Sequence, residues 1–125
     1  MVIDLESFQD INVDSNGVAT VGAGVRLGNL ALGIYNKAKR ALPHGTCPGV
    51  GIGGHFTHGG YGYDSRKWGL ALDTIVGLDV VLADGSFIHA SSTAYPDIYW
   101  VGDLHILSLQ DTPQSLISTS LCNLW

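Results

Sequence analysis

Between residues 27 and 38 the apolar positions fall at Leu27, Leu30, Ala31, Ile34 and Ala38, the three- and four-residue spacing of one helical face. The helix is expected to end near Ala41, because Pro43 lacks a backbone donor and pushes Leu42 out of the helical region. Lys37, Lys39 and Arg40 then occupy its last turns, where cations suit the negative end of the helix dipole. Upstream the period shortens. "VIDL" and "GVATVGAG" read as strands around "VDSNG", whose Asn-Gly pair favours a hairpin turn. Downstream, "IVGLDVVLADGSFIHAS" places two β-rich runs on either side of Asp84 and Gly85, again a hairpin. "YPDIYW" admits a helix start at Pro96. From Val101 onward Leu, Ser, Thr and Gln alternate without a clean period, and no element is predicted there. The pattern as a whole is α+β, an antiparallel sheet with packed helices.

Composition narrows the class. With 125 residues, 46% of them hydrophobic and 14% charged, the chain suits a single core and is poorly matched to disorder. A net charge of -5 argues against a grip on nucleic acid, for which a basic surface is needed. No apolar run reaches the length of a membrane span. The opening "MVIDLESFQD" has neither the basic nor the apolar region of a signal peptide. Cys47 and Cys122 lie in segments of different character, and no disulfide between them is expected.

One stretch does not fit a packing explanation. Residues 44–62, "HGTCPGVGIGGHFTHGGYG", hold eight of the 17 glycines, three histidines and a cysteine. Glycine buries no side chain and loses the most backbone freedom on ordering, so a close approach to that backbone is the natural reason for the run. Three readings are open: a cradle for phosphate oxygens built from backbone N–H groups, a metal site from His44, Cys47, His55 and His58, or a glycine-rich structural turn. The metal reading is the weaker of the first two, since His55 and His58 are closer than paired zinc histidines usually are and one cysteine is in reach. "VGAGVRLG" imitates a dinucleotide fingerprint. Its glycines are misspaced, however, and "KRALPHGTC" supplies no acidic residue at the end of a second strand.

The stretches "ALPHGTCPGVGIGGHFTHGGYG" and "WGLALDTIVGLDVVLADGS" resemble the PCMH-type FAD-binding domain of the vanillyl-alcohol oxidase superfamily, in its berberine-bridge and oligosaccharide-oxidase branch. Within that branch the likeness is greatest to fungal gluco- and chito-oligosaccharide oxidases, and it runs from about Val2 to Trp100. The resemblance implies FAD as cofactor, with Cys47 bonded to the C6 position of the flavin ring. It implies that Gly51, Gly53, Gly54 and His55 pass close to the flavin and its pyrophosphate, that Gly59, Gly60 and Tyr61 return beneath the ring, and that the main chain of Ile75 and Val76 meets the adenosine side. Family members oxidise an anomeric sugar hydroxyl to a lactone and reduce dioxygen to peroxide, and they work outside the cell.

Two departures limit what carries over. Members of the family bond the flavin a second time through a histidine in an upstream loop, and none of His44, His55, His58, His89 or His105 matches that motif. Residues 101–125 also leave the family pattern, so the sequence reads as a partial FAD-binding domain over 1–100 followed by a divergent tail. The family's catalytic base and carbohydrate groove have no counterpart in it. Oxidation by this chain alone is therefore not expected, and a non-catalytic truncated product is the alternative reading.

Overall fold

A computed structural model describes residues 2, 4–104 and 116–124. Five strands form one antiparallel sheet: β1 (Ile11–Val13), β2 (Val18–Gly22), β3 (Ile75–Val81), β4 (Phe87–Ala90) and β5 (Leu116–Asn123), in the order β1-β2-β5-β3-β4. Both expected turns are present. In the β1–β2 turn the Asp14 carboxylate accepts from the N–H groups of Asn16 and Val18 at 2.9 and 2.8 Å, and Gly17 takes a positive φ of 86°. In the β3–β4 turn Asp84 accepts from the N–H and hydroxyl of Ser86 at 2.9 and 2.6 Å, and Gly85 has φ 85°. Short polar side chains that hydrogen-bond their own backbone, followed by glycine, fix both reversals locally.

The first strand lies later than the sequence suggests. "VIDL" does not pair. Val2 is exposed, Ile3 lies outside the described residues, and the strand is formed by "INV" at 11–13. The chain before it crosses the end of β2, where the N–H groups of Gly22 and Gly24 donate to Asp10 and Phe8 carbonyls at 2.8 and 3.1 Å. The tail holds the larger surprise. Residues 116–123, for which the pattern predicts no element, supply β5, which pairs with β2 on one side and β3 on the other. Its Cys122 is fully buried, and burial pushes that thiol up to about 12.

Helix α1 (Leu27–Ala38) buries Leu27, Leu30 and Ile34, with Ala31 and Ala38 half-buried behind them. It stops three residues before the expected end because Lys39 turns left-handed, at φ 55°, with its ammonium over the Tyr35 ring. Arg40 then reaches the carbonyl of Leu124 at 3.1 Å. Two short helices follow, α2 (Ile52–Phe56) and α3 (Ser65–Trp68). Helix α4 (Pro96–Leu104) begins at its proline as expected, and Tyr99 donates its hydroxyl to the Ile75 carbonyl at 2.7 Å. One core runs through these elements: Ala19 and Val21 from β2, the α1 face, Ile52 and Phe56 from α2, and Leu78 and Val80 from β3. No helix among the described residues is long and apolar enough to cross a membrane.

Candidate functional site

The glycine stretch is held at one point by α2 and at another by α1. In α2 the two apolar residues, Ile52 and Phe56, are four apart, and both are buried. Burying two such side chains contributes roughly 1.5–3 kcal/mol each, which draws the stretch onto the core and turns its other face outward. The upstream half caps α1. That helix has no side-chain cap; the N–H groups of Leu27 and Gly28 donate instead to the carbonyls of Val50 and Pro48, at 2.9 and 3.0 Å. A single bridge between Arg26 and Gly51 adds to this, with Ile52 N–H on the Val25 carbonyl at 3.0 Å. The first turn of the helix needs acceptors, and the loop supplies them from its main chain.

Cys47 opens the turn Cys47–Val50, closed by Val50 N–H on the Cys47 carbonyl at 3.2 Å. Pro48 stands at its second position, where a fixed φ stiffens the bend. The thiol is free and exposed. It is the opposite of Cys122, and the two cysteines are unbonded, as expected from their surroundings.

The glycines divide into two kinds. At Gly53 a Cβ would stand 3.2 Å from the Ala23 carbonyl oxygen. Gly59 and Gly60 have φ of 97° and 71°, and their carbonyls accept from Leu72 and Ala71 at 3.1 and 3.2 Å. Those three are required by the chain itself. At Gly51 and Gly54 nothing among the described residues lies within 4 Å of where a Cβ would be, and neither has a positive φ. The same holds at Gly49, a position the sequence reading did not single out although it sits in the same run. Three residues that neither backbone conformation nor packing requires to be glycine thus face open space within a few positions of an exposed thiol. These positions leave the backbone of that face open to approach.

An open cleft of about 470 Å³ borders this face, running from Gly51 and Arg26 past Asn29 to Gln9, Glu6 and Asp4. Arg26, also absent from the sequence reading, donates from its guanidinium to the Gly49 carbonyl. Its charge and its reach into the loop are legible only once Gly49 and Gly51 are placed beside it.

The three histidines of the stretch are each tied to backbone. His55 Nε2 accepts from the Gly45 N–H at 2.9 Å, so its proton sits on Nδ1. Burial, helped by the nearby His44, lowers its pKa below 6.5. His44 Nδ1 donates to the Gly45 carbonyl at 2.6 Å, and His58 Nδ1 to the Gly54 carbonyl at 2.9 Å. Among the described residues no three His, Cys, Asp or Glu side chains group as a metal site would require. His89 pairs with Asp79 across the hairpin at 2.7 Å, away from the loop, and His105 lies outside the described residues.

Tyr61 is 75% exposed at the end of the stretch. Ile75 and Val76 differ from each other. The Ile75 N–H donates to the Leu72 carbonyl and its own carbonyl accepts from Tyr99. Val76 is passed over where the β3–β5 register shifts between Ile75 and Gly77, and its side chain is exposed. A bulge of this kind turns main-chain groups out of the ladder.

Residues 1–91 match the FAD binding domain family. The chain belongs to that family. This FAD-binding domain is 48% identical over 101 residues to a xylooligosaccharide oxidase of Thermothelomyces thermophilus, and 46% identical over 100 residues to a chitooligosaccharide oxidase of Gibberella zeae. In each case the match takes in 80% of this chain and 20% of the relative, so the chain spans about a fifth of their length. Among solved structures it superposes with a TM-score of 0.89 on a xylooligosaccharide oxidase in complex with xylobiose, at 39% identity, covering 99% of this chain and 25% of that one. A glucooligosaccharide oxidase of Acremonium strictum, described with 6-S-cysteinyl, 8α-N1-histidyl FAD, gives 0.86 at 38% identity, covering 96% and 24%.

Proposed function

We propose that this FAD-binding domain carries the cysteine side of a covalent flavin site in an oxidase of oligosaccharides, with Cys47 as the point of attachment. The observation that carries the reading is the exposed Cys47 thiol in the same loop as Gly49, Gly51 and Gly54, whose Cβ positions are open. Gly53, Gly59 and Gly60 shape the backbone of the stretch, His55 holds Gly45 within it, and the exposed Tyr61 and the Val76 main chain are the further groups offered to the cofactor. Cys47 would hold the flavin through an S–C6 bond in place of its S–H and the ring C6–H, a two-electron, two-proton oxidation for which dioxygen, reduced to hydrogen peroxide, would be the acceptor. FAD, once bound, supplies hydride acceptance from a sugar hydroxyl, chemistry that belongs to the cofactor. The chain's own residues hold, orient and shield it. Named relatives acting on xylo-, chito- and gluco-oligosaccharides support carbohydrate as the substrate class and an extracellular place of work.

Denaturing electrophoresis with in-gel flavin fluorescence tests the attachment. The band of the chain expressed with FAD fluoresces, and Cys47→Ser abolishes the signal without lowering the denaturation midpoint. A dark wild-type band overturns the reading. Because no residue of the chain matches the family's base or carbohydrate groove, the chain alone produces no peroxide from oligosaccharides, and sustained substrate-dependent peroxide would contradict that.

A further inference from the structure

Gly45 is held on both sides of its Cα by histidines. Its N–H donates to His55 Nε2 at 2.9 Å and its carbonyl accepts from His44 Nδ1 at 2.6 Å. The grip is tight. A Cβ on Gly45 would stand 3.0 Å from both Cε1 and Nε2 of the His55 ring, so the ring rests against bare backbone. On the other side Gly62 lies against the His44 carbonyl, where a side chain would overlap it. The segment that leads to Cys47 is therefore clamped between α2 and the returning loop, and Cys47 stands two residues from the gripped glycine.

We propose that His44 and His55 are positioning residues for Cys47: by holding the two peptide groups that flank the Gly45 Cα they set where the thiol stands toward the cofactor. The proposal rests on Cys47 as the attachment point. Geometry sets the protonation it needs. His55 can accept the Gly45 N–H only while Nε2 is bare, and the burial that lowers its pKa keeps it so near neutral pH. His44 is the titratable group that acts electrostatically on the ring; Cys47 and His58 are its titratable neighbours along the loop and just beyond α2. A glutamine at 55 would place a non-titrating acceptor at about the same reach.

Hydrogen exchange at the Gly45 amide, expressed as a protection factor, reads the grip in the full chain without any cofactor. His55→Phe lowers that factor about tenfold, the scale of one lost hydrogen bond, while amides of Leu78 and Val80 report an intact sheet. His55→Gln restores it. In the wild type the factor falls as the pH drops below 6.5, and in His55→Gln, which retains His44, Cys47 and His58, it stays level. The pH profile and the rescue test the hydrogen bond, and flavin labelling tests the positioning role: undiminished labelling in a folded His55→Phe protein refutes it. Covalent flavin, read by in-gel fluorescence, follows the same order, low in His55→Phe and recovered in His55→Gln. If Gly45 stays protected in His55→Phe, or if His55→Gln shows the wild-type pH fall, the grip is refuted. If His55→Phe does not fold, the pH comparison of wild type with His55→Gln decides alone. A wild-type chain that shows the grip but takes up no covalent flavin overturns the attachment reading and the positioning role while leaving the hydrogen bonds standing.

Discussion

Two glycine-rich stretches lie close together in this chain, and the surroundings of most of their glycines are opposite. In "VGAGVRLG" the chain itself fills the space. A side chain on Gly22 or Gly24 would run into the backbone of Phe8 or Leu5, and one on Gly28 would meet the Pro48 ring at 2.8 Å. In "CPGVGIGG" the side-chain positions of Gly49, Gly51 and Gly54 are empty. Glycine that lets two parts of one protein approach and glycine that lets a ligand approach look the same in a sequence. They separate as soon as the neighbours of the missing Cβ are known.

Substitution should separate them as well. The largest effect is expected at Gly24→Val, which drives a branched side chain into the Leu5 carbonyl. Overpacking against main chain that cannot swing aside costs about 3 kcal/mol, read as a lowered urea midpoint with flavin labelling reduced only as far as the folded population is. A fully stable Gly24→Val protein would break the comparison on its first side.

Gly51→Ala and Gly54→Ala should do the reverse. Both backbones accept alanine, so stability is unchanged or rises by about 0.5 kcal/mol through the less flexible unfolded chain. Covalent flavin should fall on the order of tenfold, because a methyl group displaces the cofactor from its approach to the backbone. Undiminished labelling in both variants would show that the open face is not the flavin's.

The smallest effect is a pH dependence of stability. The folded-state pKa of His55 is lowered by burial and by His44, so the unfolded chain takes up the proton first. The contribution of neutral His55 is complete above 6.5 and is lost as the pH falls from there through the lower folded value. Asp14 and Asp84, held below 3.8 by hydrogen bonds to Val18 and Ser86 respectively, stay ionised throughout that window and lose their contributions only at lower pH. The urea midpoint should therefore decline slightly from pH 7.5 to 5.5 in the wild type and less in His55→Gln. Equal declines would assign the titration to another group.

Legibility in the sequence followed the range of the interactions. Helix α1 showed itself because Leu27, Leu30 and Ile34 repeat at the helical period, and the β3–β4 hairpin because Asp84 and Gly85 fix a turn with their own atoms. The end of α1 was misjudged, since Lys39 adopts a left-handed conformation that its residue type does not announce. β1 was misplaced because what decides it is the crossing of residues 5–9 over Gly22 and Gly24, a contact between segments that the local pattern does not contain. β5 went unseen for the same reason in stronger form. Its apolar residues do not alternate, and its strand character comes from unpaired edges that β2 and β3 present on either side.

What the sequence determined by itself was the list of parts: one amphipathic helix, two turns with their strands, and a cysteine in a glycine run whose residue types carry the FAD-binding family's signature. Residue type and short-range geometry suffice for those, because side-chain period, turn hydrogen bonds and backbone permissiveness act within a few positions. Tertiary structure alone decided which glycines are open and which are filled, that one cysteine is exposed while the other is sealed in the core, and that two histidines hold one glycine. Each of these depends on what stands next to a group in space, and such neighbours are fixed by packing across the whole chain.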